Sequence, residues 1–145
     1  MERRSFFAAV GAAVLTAPAA AQQPPAKLPA PAANSRPPYK ALADASLSCV
    51  SAGEDCLRKA FSQFGAKDVS LLDCARSSND VVAACSALAS LAALGAPFAT
   101  AFARTVADLC LACKKDCDRF MQIAECAGLG AACAACAEEC RKISG

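Results

Sequence analysis

The chain has 145 residues, eleven cysteines, and neither histidine nor tryptophan. A formal net charge of only +2 excludes a strong field or a basic nucleic-acid surface. The length fits one domain, and the 56% hydrophobic content, much of it alanine, favours helices over a bulky core.

In chain order, the first 21 residues read as a signal peptide. "MERRSFF" sets two arginines before the apolar run "FFAAVGAAVLTAPAAA", and small residues allow cleavage after Ala21. Arg3-Arg4 followed by Ser5-Phe6-Phe7 resembles the bacterial twin-arginine export signal. An ordinary secretion signal that carries Arg-Arg is the alternative. The twin-arginine route exports folded proteins, so a metal or thiol site could be assembled before export to the periplasm. Residues 22–38, "QQPPAKLPAPAANSRPP", hold six prolines and read as an extended Pro/Ala linker.

Residues 39–145 are predicted to fold as four helices. The first runs from Lys40 to Phe64 and ends at Gly65, a natural C′ residue. Asp68 is expected to cap the second, Val69 to Leu94. Gly95-Ala96-Pro97 closes that helix, with Pro97 in the first turn of the third, which runs to Phe120. The fourth is expected from Ala124 to Ile143, although Gly128 and Gly130 each weaken it by ~1 kcal/mol relative to alanine. The third could instead continue to Ala127, with "GLG" as the turn. Either way, short connections predict an all-α, up-down-up-down antiparallel four-helix bundle.

Residues 81–103, "VVAACSALASLAALGAPFATAFA", carry no charge and raise the question of a membrane span. Gly95 and Pro97 sit inside the run, and Ser86, Ser90 and Thr100 interrupt it. The stretch reads as the end of one buried helix and the start of the next, so no span is expected in the mature chain.

The cysteines decide the matter. Cys49 and Cys56 are seven apart; Cys74 and Cys85 are eleven apart. "CLACKKDC" places Cys110, Cys113 and Cys117 at steps of three and four. "CAACAEEC" repeats that pattern at Cys133, Cys136 and Cys140, seven residues after Cys126. Steps of 3, 4, 7 and 11 return to one face of an α-helix, so each helix carries a stripe of sulfur. Leu42, Cys49, Cys56 and Gln63 form a heptad line in the first helix, with Glu54, Asp55, Arg58 and Lys59 mostly off it. Four inward stripes make a tube of thiols. Cys126 to Cys140 alone spans ~21 Å of axis, too long for one mononuclear site. A second line, Leu47, Val50, Leu57, Phe61 and Phe64, reads as inter-helix packing. Together with Leu88, Leu91, Phe98 and Phe102 it exceeds what a thin bundle buries, which points to a homo-oligomer.

Three readings compete. Structural disulfides are permitted by export. However, helical neighbours seven apart lie ~10.5 Å apart along the axis, beyond bridging range, and eleven is odd. Under that alternative the protein is a disulfide-stapled helical structural or interaction protein without metal. Free cysteine as a small core hydrophobe explains one or two thiols, not eleven. A soft-metal store remains. Zinc prefers closed sets of four ligands, and iron–sulfur clusters usually sit in loops. Cu(I) accepts two or three sulfurs and cancels thiolate charge about one for one, so the tube would hold multiple ions, roughly one per cysteine. No set of residues suggests catalysis: there is no histidine base, and Gly128-x-Gly130 is not a phosphate loop.

The sulfur stripes, the two octets and the leading "MERRSFF" resemble the exported copper storage proteins of bacteria. That resemblance implies a Cys-lined four-helix bundle, generally a homo-tetramer, holding many Cu(I) ions. It implies ligation by Cys49, Cys56, Cys74, Cys85, Cys110, Cys113, Cys117, Cys126, Cys133, Cys136 and Cys140. Its partners would be copper ions, and a copper-dependent enzyme or copper chaperone. Histidines often help line the mouth in that family; this chain has none. Met121, four residues after Cys117 on the same stripe, is the obvious thioether substitute. The alternative is a methionine that plugs the end of the bundle.

Overall fold

The computed structural model describes residues Pro38–Ser144. The expected signal peptide and all of the expected linker except Pro38 lie outside the described residues. Four α-helices follow in order: α1 Lys40–Gly65, α2 Leu72–Ala93, α3 Ala99–Cys117 and α4 Ala124–Ser144. A single 3-10 turn, Asp118–Phe120, prolongs α3. The expected third helix therefore reaches Phe120 as anticipated, but its last turn tightens. The alternative "GLG" turn does not form, since Gly128 and Gly130 both lie inside α4.

Three local expectations need correction. Gly65 is the last residue of α1, and the left-handed position falls at Lys67, with φ of 64°. There the Asp68 N–H bonds to the Gln63 carbonyl at 3.0 Å and the Lys67 N–H to the Phe64 carbonyl at 2.9 Å. This pattern of paired bonds closes a helix end through a residue in the left-handed conformation, and here it recruits lysine rather than glycine. Asp68 does not cap α2. Its carboxylate accepts from the Ser70 N–H at 2.9 Å and orders the turn before the helix, which starts three residues later than expected, at Leu72. Pro97 stands outside α3, in the turn before Phe98. Gly95 does what the sequence asks of it. With φ of 61° it ends α2 by the same paired bonds, Gly95 N–H to Ala92 O and Ala96 N–H to Leu91 O. A Cβ at Gly95 would also stand 2.9 Å from Pro38 Cγ, so the turn needs glycine twice over.

Each helix packs against two neighbours, α1 with α2 and α4, α3 with α2 and α4. Residue pairs give the direction. Along α1 and α4, Ser46 faces Cys136, Cys49 faces Cys133 and Cys56 faces Cys126. Along α2 and α3, Cys74 faces Cys117 and Cys85 faces Cys110. Cys56 meets Cys74 across α1 and α2, while Arg104 near the start of α3 reaches Ser144 at the end of α4. Neighbouring helices are thus antiparallel throughout. The Arg104 guanidinium donates to the Ser144 carbonyl at 2.9 and 3.2 Å, supplying a cation where the α4 dipole is negative.

The packing is close because the interior is built from small residues. Ala60, Ala92, Ala103 and Ala137 are fully buried, and Leu42, Leu88 and Val106 fill the core where α1 and α3 begin and α2 ends. Gly53 marks the closest approach: a Cβ there would stand 2.5 Å from Val82 Cγ2. Ion pairs such as Lys114–Asp118 and Arg58–Asp55 are exposed and add little. No helix among the described residues is long and apolar enough to cross a membrane. Residues 81–103 divide between α2 and α3 at the Gly95 turn, as expected.

Gly53→Ala should lower stability by about 1–2 kcal/mol, because overpacking against Val82 outweighs the gain in helix propensity. Gly128→Ala, with nothing within 4 Å of its added methyl, should raise it by up to about 1 kcal/mol. Denaturant unfolding of the metal-free chain followed by circular dichroism separates the two. Equal effects would disprove the tight contact.

Candidate metal centre

All eleven cysteine side chains are fully buried and all are free thiols. The 3–4–7–11 spacing works as the helical repeat requires: every sulfur faces inward, and Glu54, Asp55 and Arg58 face water. The closest sulfur pairs, Cys49–Cys133, Cys56–Cys74 and Cys74–Cys117, stand 3.5 Å apart. Bonded sulfurs stand about 2.05 Å apart. The structure therefore presents a thiol lattice rather than a set of disulfide staples.

Two groups are compact enough to share an ion. Cys49, Cys85 and Cys110 place their sulfurs within 4.8 Å of one another, as do Cys56, Cys74 and Cys126. Cys117 joins the second group through Cys74, and Cys113 lies 4.0 Å from Cys117. Cys136 joins the first through Cys85 at 3.9 Å, and Cys140 follows one helical turn beyond Cys136 on the same stripe. Ten of the eleven expected ligands thus lie within 4.0 Å of another sulfur.

Met121 is different. The 3-10 turn breaks the 3.6-residue register after Cys117, so a step of four no longer returns to the stripe. Met121 is 57% exposed and stands outside the sulfur core, at the connection between α3 and α4. Sequence spacing alone misplaced it.

Sequence reasoning also missed two residues. Ser46 and Ser78 are the buried polar side chains of the core, both fully covered. Ser46 lies three residues before Cys49 and Ser78 four after Cys74, so both sit on sulfur stripes. The Ser46 hydroxyl is 3.7 Å from the Cys136 sulfur. The Ser78 hydroxyl donates to the Cys74 carbonyl at 2.6 Å and lies 3.5 Å from the Cys56 sulfur. Reading the stripe for every small polar residue, not only cysteine, would have found them.

The sulfurs share protons. Cys56 is held down by hydrogen bonds from Cys117 and Cys74, while Cys117 is pushed up by its bonds to Cys113, Cys56 and Cys74. Likewise Cys136 is lowered by Cys110 and Cys140, and Cys140 is raised by Cys136. Cys126 is raised chiefly by burial, then by the charges of Cys56 and Cys74. A thiolate surrounded by protonated neighbours is stabilised; adjacent thiolates are not. The metal-free core therefore keeps most of its protons, and those protons must leave when cations enter. Such a set of soft, closely spaced donors suits a soft cation.

A thiol-reactive chromogenic disulfide should modify the native metal-free chain slowly and count eleven thiols once the chain is denatured under argon. A denatured count of one would mean that the sulfurs are paired.

Comparison with known proteins agrees with this geometry. A family model described as copper storage protein matches residues 35–145. The metal-free copper storage protein 3 of Bacillus subtilis is similar in structure, with a TM-score of 0.64 and 25% sequence identity. The match covers 72% of this chain and 97% of that one. No curated protein matches. With a sulfur-lined helical bundle and a family match over the whole of that bundle, the chain belongs to the copper storage protein family.

Proposed function

We propose that the eleven core cysteines hold copper as Cu(I), roughly one ion per thiolate, and that Met121 is a surface residue of the α3–α4 connection rather than a ligand. The observation that carries this reading is the complete burial of all eleven sulfurs, ten of them within 4.0 Å of another. Isolated thiolates in such a core would each cost several kcal/mol. Each Cu(I) that replaces a thiol proton leaves a neutral unit, so the core can fill without accumulating charge. A divalent ion on four thiolates would leave two negative charges buried at every site. No redox step is involved: the ion enters as Cu(I), an S–Cu bond replaces an S–H bond, and a proton goes to solvent.

The reading is of a store and not an enzyme. Its partners are copper ions, with a copper-dependent enzyme or copper chaperone as donor or recipient. Its use is supply to such proteins or protection from free copper. We also take the chain to be exported to the periplasm through residues 1–21 and to assemble as a homo-oligomer, a tetramer by family resemblance. Assembly is supported by the exposed Phe61 and Leu72 between α1 and α2, flanked by Arg76 and Asp80. Phe61, Leu47 and Phe98 all remain more than half exposed in the single chain, so the surplus apolar surface noted in the sequence lies outside the core.

Titration with Cu(I) against a chromophoric chelator should end near the cysteine count, with about one proton released per ion. Chelator extraction should become easier as pH falls, because protons compete for the same sulfurs. Cys113→Ser combined with Cys136→Ser should lower capacity by about two ions and leave helical circular dichroism unchanged. An endpoint of one or two ions in the native chain would refute storage. For export, Arg3→Lys with Arg4→Lys should trap the chain in the cytosol if the twin-arginine route is used, whereas an ordinary secretion signal tolerates the change.

A further inference from the structure

The eleven sulfurs do not form one even column. On α3 the line is continuous: Cys110, Cys113 and Cys117. The other three lines break. On α1 the stripe position between Cys49 and Cys56 is Gly53; on α4 the position between Cys126 and Cys133 is Leu129. On α2 the positions between Cys74 and Cys85 are Ser78 and Val81. All four of these residues are buried, with Leu129 and Ser78 fully covered.

The breaks meet at one level. A Cβ on Gly53 would stand 3.9 Å from Leu129 Cδ1 and 3.7 Å from the Ser78 carbonyl. Cys113 is the sulfur at this level, since it lies on α3 between Cys110, which faces Cys85, and Cys117, which faces Cys74. Sulfur contacts follow the same division. On one side Cys56, Cys74, Cys117 and Cys126 touch one another. On the other side Cys49, Cys85, Cys110, Cys133 and Cys136 do so, with Cys140 one helical turn beyond Cys136 on α4. Among the described residues, Cys113 is the sulfur that stands between the two sides: it lies 4.0 Å from Cys117 of the first and one helical turn along α3 from Cys110 of the second.

We propose that the core is two copper compartments separated by a sulfur-free waist of Gly53, Ser78 and Leu129, with Cys113 as the one ligand shared between them. The proposal rests on the storage reading above. Two sulfurs that share an ion at roughly 2.3 Å each, the metal–thiolate distance of a comparable ion, stand at most about 4.6 Å apart. An isobutyl group and a hydrogen atom offer no lone pair, and the Ser78 hydroxyl is a hard donor already bonded to the Cys74 carbonyl, so shared soft ions cannot continue through the waist on three of the four helices. Within a compartment each added ion brings its neighbours' sulfurs into place. Across the waist that coupling passes through a single sulfur. Filling therefore proceeds by compartment, and ions move between compartments by way of Cys113.

Native mass spectrometry of the full chain, titrated with Cu(I) under argon, tests this. The expected spectrum gathers at the metal-free mass, at one partial load of about four or six ions, and at the full load, one ion per thiolate of a compartment. A smooth, single-humped ladder that passes through every count overturns the partition while leaving storage intact. Uptake that stops at one or two ions overturns both. Leu129→Cys places a sulfur in the waist at the stripe position. It should erase the intermediate maximum and add about one ion, with circular dichroism confirming the fold. An intermediate maximum that survives the substitution refutes the waist. Cys113→Ser should keep the partial load and slow redistribution of copper between compartments, read as slower relaxation of the partial-load pattern after mixing full and empty chains. Unchanged relaxation refutes the bridging role.

Discussion

Charge neutrality in a dry core is the constraint on which this molecule turns. A helix bundle normally buries groups that have no charge to lose. Here the interior is lined with groups that ionise, and they are tolerable only as thiols or as thiolates compensated one for one. Protonated, they behave as small hydrophobes and pack against alanine. Loaded with univalent cations, as proposed, they would be neutral again. The fold would then have two states of similar polarity, with no need for the bundle to reorganise between them.

Small side chains make this geometry possible. Ala60, Ala92, Ala103 and Ala137 let the helices approach, so that sulfurs from different helices come within 3.5–3.9 Å. Larger residues at those positions would separate the stripes beyond the reach of a shared ion. Where Val82 of α2 presses closest, Gly53 on α1 gives way, and the bundle keeps its spacing without a sulfur at that position of α1. Packing and metal capacity are therefore set by the same positions, which is why the interruptions coincide in space and not only in sequence.

The two buried serines belong to the same logic. Each occupies a stripe position and touches a sulfur, yet oxygen is a hard donor and adds nothing to a soft-ion site. Ser78 returns its proton to the α2 backbone at 2.6 Å, which satisfies it without a metal. They fill space in the lattice and leave the soft ligand set to cysteine alone.

Periodicity by itself determined the helices, their inward faces and the ligand type. Spacings of 3, 4, 7 and 11 have one meaning on an α-helix, whatever surrounds it. Elements with no such redundancy were not legible. The left-handed cap at Lys67, the late start of α2 and the loss of register before Met121 depend on backbone bonds formed between turns, which no side-chain pattern encodes. Which sulfurs meet was likewise decided only by tertiary structure. Antiparallel packing brings Cys56 to Cys74 and Cys126, and it stacks Gly53, Val82 and Leu129 at a single level. Sequence states what each helix offers to the axis. The relative rise of four helices along that axis comes from how their small residues interlock, and that rise decides which offers coincide.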